Sequence, residues 1–255
     1  MQAPPASEPV RLPHAALDVG GRLPKAEKIV RLLGLQPAGR PLRVLEVGTG
    51  SGVIAQYIAG RGEGAFEVDA VDVIDQRTVH DGYRFTPVHD TTLPFPDAHF
   101  DAVISNHVIE HVGDRADQAA HLRELGRVLR ADGVGYLAVP SRWQVIEPHY
   151  RLAFLSWLPR RWRSAYVRAR GKGRCYDCEP LRLPELEALF VRNGLHFENL
   201  FASALAVMLH AEPSPGPMLR CAAALPMRWL QALRWASPTH IYRFGKPAPA
   251  IRDDA

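Results

Sequence analysis

The sequence predicts an α/β fold whose mainly parallel sheet is covered on both faces, and three observations predict it. Apolar strand patterns and helical patterns alternate between residues 42 and 140. The first strand pattern runs into glycines at alternate positions, Gly48, Gly50 and Gly52, and a helical pattern follows at once. The next strand patterns end at acidic or polar residues, where parallel strands share one ligand crevice at their carboxyl ends. The chain has 255 residues, 47% hydrophobic and 23% charged, which suits one sizeable core with an appendage.

The elements follow in order. Residues 1–20, with four prolines in the first 13, are expected to be a flexible arm. The domain is expected over residues 21–246. Leu23-Pro24 opens a helical pattern that runs to Leu33 and stops at Gly34. Strand patterns cover Arg43–Val47, Phe66–Asp72, Phe85–His89, Phe100–Ser105 and Val134–Val139, with helical patterns at Gly52–Ala59, Asp75–Gly82 and Ala116–Leu129. Past Pro140 the rhythm breaks into a basic, aromatic insert at 142–174. A helical pattern returns at Pro184–Arg192 and stops at Asn193-Gly194. Leu195–Phe201 and Thr239–Phe244 read as the last strands, separated by an apolar helical insert at 202–236, and 247–255 as a tail.

Charge and cysteine content exclude several classes. A net charge of +4 names no nucleic-acid partner, and no recognised nucleic-acid module is evident. No apolar run reaches the ~18 residues of a spanning helix, and the start lacks the apolar core of a signal peptide. The expected location is cytoplasmic, with peripheral contact at the inner membrane surface open to the insert. Three cysteines make no disulfide framework. Cys175 and Cys178 form a single C-x-x-C with no second pair nearby, and no metal site is expected from it.

The glycine turn carries the chemistry. Glycine permits positive φ and close approach to a ligand, and the following helix offers free N–H groups. A dinucleotide fingerprint requires a glycine where Val53 stands, which counts against a nicotinamide-dependent oxidoreductase. Glu46, two residues before the turn, would oppose a pyrophosphate and favour a sulfonium or ammonium. Asp72 lies about 20 residues past the turn, where a carboxylate accepts both ribose hydroxyls. Asp90 ends the third strand pattern, level with Asp72, and suits an adenine amine. Asp69 is expected at a strand edge facing solvent.

VLEVGTGSG at 44–52, the Asp72 strand end, HDTTLPFPDAHFDAV at 89–103, SNHVIEHV at 105–112 and LGRVLRADGVGYLAV at 125–139 together resemble the class I S-adenosylmethionine-dependent methyltransferases. They are most similar to the ubiquinone and menaquinone (type 11) group. The resemblance covers about residues 42–140. It implies a Rossmann-like, doubly wound sheet of seven strands, the last antiparallel, and S-adenosyl-L-methionine as cofactor. It also implies that Gly48, Thr49, Gly50 and Gly52 line the methionine and ribose side, and that Glu46 helps hold the amino group, directly or through water. Asp72 and Val73 fall at the ribose, Asp90 and Thr91 at the adenine edge, and Asn106 and His107 near the sulfonium.

Methyl transfer from a sulfonium expels a neutral thioether, so positioning supplies most of the acceleration and a base helps only where the acceptor loses a proton. His149, paired in sequence with Glu147, is the candidate base; His111 reads as structural. Glu147, Tyr150, Arg151 and Trp157 are the candidate acceptor-binding residues. The insert holds nine basic residues and one acidic one, a net +8 that leaves the rest of the chain at −4. It could bind an anionic acceptor, lie on an anionic membrane, or be a solvated face over ordinary packing. The expected function is methyl transfer, at oxygen, to a small-molecule, glycan or lipid-linked acceptor. The alternative is an inactive cofactor-binding scaffold of the same fold.

Overall fold

The computed structural model describes residues 19–37, 39–211, 216 and 225–247. Most of the expected arm and tail, much of the expected insert around 212–224, and Cys221 lie outside the described residues. Helix α1 (Val19–Leu33) begins two residues inside the expected arm. The strands are β1 (Leu42–Val47), β2 (Phe66–Asp72), β3 (Arg84–Pro87), β4 (Phe100–Asn106), β5 (Leu129–Pro140), a short hairpin β6 (Ile146–Glu147) and β7 (Leu152–Ala153), β8 (His196–Asn199) and β9 (Thr239–Gly245). The remaining helices are α2 (Val53–Ala59), α3 (Arg115–Val128), α4 (Arg160–Ala169), α5 (Leu183–Arg192), α6 (Phe201–Ala211) and α7 (Met227–Ala232).

Seven strands form one sheet in the order β3-β2-β1-β4-β5-β9-β8. The five strands from β3 to β5 are parallel, and β9 runs antiparallel to both β5 and β8. The chain leaves β1 toward β2 and β3, then returns to β4 on the other side of β1. That reversal opens a crevice at the carboxyl ends of β1 and β4. Alternation along the strands divides the core by face. Val44, Val68, Ile104 and Tyr136 face α1, α2 and α6. Leu45, Val71, Val103 and Leu137 face α3 and α5, where Leu122, Leu125, Leu186 and Phe190 meet them.

Local chemistry fixes the helix ends. Asp114 accepts from the backbone of Ala116 (2.8 Å) and Asp117 (3.2 Å), while Asp117 accepts from the backbone of Asp114 (2.9 Å). This capping box at the start of α3 contributes about 1 kcal/mol. The insert has its own small core, with Tyr150, Leu152, Leu155, Val167 and Cys178 buried together. Gln118 anchors it, donating from Nε2 to the carbonyls of Ile109 (3.1 Å) and Glu179 (2.8 Å).

Two expectations are corrected. No helix forms at 75–82. There the N–H groups of Thr78 and Val79 donate to the Ser51 carbonyl at 3.0 and 3.2 Å. Arg77 folds back onto Asp75 at 2.8 Å and stacks on the Phe85 ring at 3.9 Å. Those tertiary bonds pull the segment against the glycine turn and outweigh its weak helical pattern. Asp69 does not face solvent. It is buried, and Arg84 on neighbouring β3 grips its two oxygens at 2.9 and 2.8 Å.

His240, on β9 opposite Val139, is 2% exposed, and its Nδ1 has no hydrogen-bond partner among the described residues. Burial, with help from Arg234, lowers its pKa to about 4. The folded state therefore binds fewer protons than the unfolded chain below pH ~6.5. The stability held by neutral His240 is full above that pH and is lost as pH falls toward 4. Denaturant titrations are expected to show this as a loss on the order of 2 kcal/mol by about pH 5, and His240→Gln should remove that part of the slope.

Candidate active site

The crevice between the ends of β1 and β4 is a cleft of ≈ 300 Å³. Its wall begins with the glycine turn. Gly48, Gly50 and Gly52 have φ of 79°, 53° and 84°, a region glycine enters without strain. The turn is tied to β2: Gly48 N–H and Thr49 N–H donate to the Val71 carbonyl at 2.8 and 3.2 Å, and Gly50 N–H donates to Asp72 Oδ2 at 2.8 Å. A Cβ on Gly48 would run into the side chain of Val108, on the opposite wall.

Of the expected cofactor residues, Gly48, Gly50, Asp72, Val73, Asp90, Thr91, Asn106 and His107 all line this cleft. Asp72 Oδ1 also accepts from Val73 N–H at 2.7 Å, so the carboxylate is fixed while lone pairs remain for a ligand. His107 takes a left-handed conformation (φ 60°), and its N–H donates to the Ala138 carbonyl at 2.8 Å. Thr49 and Gly52 stand behind the cleft and are absent from its lining. Thr49 is 1% exposed, with Oγ1 donating to Val71 O at 3.1 Å, and Gly52 caps α2.

Glu46 stands behind the cleft lining. It is 1% exposed, does not line the cleft, and accepts from Ala55 N–H in α2 at 3.0 Å. Burial pushes its carboxyl up to about 8, against the pull of Arg22. It therefore holds α2 to β1 from behind the cleft. Among the cleft residues that sequence reasoning missed are Arg22 and Lys25, which α1 places there. Their spacing of three on one helical face was the available signal. Burial lowers the pKa of both, while Glu46 and Asp72 hold the Arg22 charge.

The far end of the cleft is lined by His111, Pro148 and His149. The pairing expected from sequence is present: His149 Nδ1 lies 2.7 Å from Glu147 Oε1, and Glu147 Oε2 accepts from Tyr150 N–H at 2.7 Å. Burial opposes charge on His149, but Glu147 outweighs it and the ring's pKa is raised. His111 is no bystander, since its Nε2 lies 3.2 Å from His149 Nε2. Cys178 is buried beside both rings, whereas Cys175 is exposed, so the C-x-x-C does not act as a pair.

The other expected acceptor residues do not line the cleft. Glu147 stands behind His149. Tyr150 is buried and donates to Asp177 at 2.7 Å. Arg151 is exposed at the tip of the β6–β7 hairpin. Trp157 packs edge-on against Trp143 and Phe154, with centroids at 5.7 and 5.1 Å, on the outer surface of the insert.

This arrangement can be compared with known proteins. The methyltransferase domain family matches residues 45–137. A Mycobacterium tuberculosis protein (strain CDC 1551 / Oshkosh), named "Probable S-adenosylmethionine-dependent methyltransferase", is 38% identical over 104 residues. Over residues 45–137 the chain is similar to S-adenosylmethionine-dependent methyltransferase domains. The match covers 39% of this chain and 36% of that relative. The domain is also 33% identical over 125 residues to the ribosomal protein L11 methyltransferase of Lactobacillus delbrueckii subsp. bulgaricus, covering 45% of this chain and 39% of that one. The chain thus spans well under half the length of the curated relatives it matches.

The methyltransferase domain's fold is shared with solved structures. One is a chain from the complex of the Haloferax volcanii Trm112 methyltransferase activator with a methyltransferase. It has a TM-score of 0.54 and 18% identity, covering 90% of this chain and 93% of that chain. Another is the cyclase SpnF, with a TM-score of 0.52 and 17% identity, covering 88% and 80%. At these identities the likeness concerns the fold alone. Among the described residues no helix is long and apolar enough to cross a membrane.

S-adenosylmethionine, the cofactor of this domain, fits the residues present. Asp72 offers a fixed carboxylate for the ribose, and Gly48 lets the turn pass against Val108 where any side chain would clash. Gly48→Ala is expected to cost about 1–3 kcal/mol through backbone strain. It should also abolish binding of S-adenosylhomocysteine; denaturation curves and calorimetry on the variant check the two effects separately.

Proposed function

We propose that the protein transfers the methyl group of S-adenosylmethionine to an oxygen of an anionic small-molecule, glycan or lipid-linked acceptor. The observation that carries this reading is the cleft itself. Asp72 and the glycine turn stand at one end, and a histidine pair backed by a carboxylate stands at the other. When bound, the cofactor supplies an electrophilic methyl group on a sulfonium that leaves as a neutral thioether.

The chain's own residues do the rest by binding and orienting. Asp72 accepts the ribose hydroxyls, and Asp90 and Thr91 meet the adenine edge. Arg22 and Lys25 hold the carboxylate of the methionine portion, Arg22 through its planar fork. Asn106 and His107 flank the reacting end. His149 takes the acceptor's proton at Nε2, directly or through His111. Glu147 keeps the proton on Nδ1 and stabilises the imidazolium that forms.

The insert supports an anionic acceptor or an acceptor held at an anionic lipid surface. Trp143, Ile146, Phe154, Trp157 and Trp162 are exposed on it, among the arginines of α4 and its flanks. Exposed aromatics framed by arginine suit an interface with one apolar and one negatively charged component.

The test is methyl transfer from labelled S-adenosylmethionine across acidic metabolites, glycans and lipid extracts. His149→Ala should lower kcat by about 10²–10⁴-fold with unchanged cofactor affinity. Arg22→Ala should weaken cofactor binding by about 10- to 100-fold, the worth of a charged hydrogen-bonded pair. Unchanged turnover in His149→Ala would remove the base and with it the oxygen assignment.

A further inference from the structure

We propose that His111, His149 and Cys178 bind one thiophilic divalent cation, zinc by first choice, at the acceptor end of the cleft. One ligand atom from each of the three side chains lies within 4.8 Å of the others. The two Nε2 atoms are 3.2 Å apart. Cys178 Sγ lies 3.6 Å from His111 Nδ1 and 3.7 Å from His149 Nδ1. A tetrahedral zinc with Zn–N of about 2.0–2.1 Å and Zn–S of about 2.3 Å has N···N edges near 3.3 Å and N···S edges near 3.6 Å. The Nε2 pair already has that N···N spacing, and with Sγ all within 4.8 Å the three groups need close by only about 1 Å to reach the edges of such a site.

The surroundings point the same way. His149 Nδ1 is held by Glu147, whose other oxygen is fixed by Tyr150 N–H. That leaves Nε2 as the ligand atom, and a carboxylate behind a histidine is the usual support for a metal ligand. Glu110 is 1% exposed, and among the described residues neither of its oxygens has a hydrogen-bond partner of ordinary length. The nearest cationic candidates are His107 Nδ1 at 3.5 Å and His111 Nε2 at 3.9 Å. A buried carboxylate so poorly served is costly unless positive charge lies near it. Cys178 is held in register by its neighbour, since Glu179 N–H donates to the Glu110 carbonyl at 2.7 Å. Two imidazoles and a thiolate select zinc, or cobalt in its place, over magnesium or calcium. Three protein ligands leave a fourth position, and His111 and His149 both line the cleft.

Metal binding here does not depend on methyl transfer. An ion on His149 Nε2 would occupy the lone pair that a general base uses, so the two roles alternate at that atom. The experiment is a Co²⁺ titration of the full-length, chelator-treated protein. One ion per chain is expected, with the intense visible bands of a four-coordinate ion, a near-ultraviolet thiolate charge-transfer band, and displacement by Zn²⁺. Cys178→Ser should abolish the charge-transfer band and weaken binding at least about tenfold. Glu147→Gln should weaken it about 10- to 100-fold with the band retained. Cys175→Ser should change neither. A wild-type titration without the thiolate band, or a band that survives Cys178→Ser, would overturn the proposal.

Discussion

The site depends on the bond between the Gly50 N–H and the Asp72 carboxylate. It joins the turn after β1 to the end of β2, two points 22 residues apart in sequence. Parallel pairing brings the strand ends level, and the bond then decides how the turn is oriented. With Gly48 N–H on the Val71 carbonyl, the turn curls back over β2 and leaves the crevice above β1 and β4 open. The same carboxylate that shapes the turn stays at the lip as an acceptor. In the proposed reading fold and cofactor recognition share one side chain, and its loss would disturb both.

The acceptor end is built differently. It comes from segments far apart in sequence: His111 after β4, His149 in the insert hairpin, and Cys178 where the insert returns to the body. Gln118 on α3 bonds both Ile109 and Glu179, and so clamps these segments together. The charge asymmetry of the chain falls along the same division. The −4 body carries the cleft and the +8 insert carries the exposed arginines and aromatics. Electrostatic attraction of an anion toward the insert would deliver it beside the histidine pair.

What the sequence made legible was local. The glycine turn, Asp72 and the seven strands could be read because strand alternation and glycine conformations are set within a few residues. Pairing of Glu147 with His149 could also be read, being two residues apart. Arg22 and Lys25 were hidden because their spacing on one helical face does not say which cleft that face meets. The burial of Glu46 was hidden because its position beside the glycines says nothing about burial, and its side chain turns into α2. The 75–82 segment misled because its helical pattern competes with bonds to Ser51 that only the tertiary fold provides. The surroundings of Cys178 were hidden, because its spatial neighbours are two histidines far from it in sequence.

The most direct test of the central claim is calorimetric titration of the wild-type protein with S-adenosylhomocysteine, alongside NAD and Asp72→Ala as comparisons. The account predicts one saturable site per chain for S-adenosylhomocysteine, binding weakened by about tenfold or more in Asp72→Ala, and no heat with NAD. Binding of NAD, or S-adenosylhomocysteine affinity indifferent to Asp72, would contradict it.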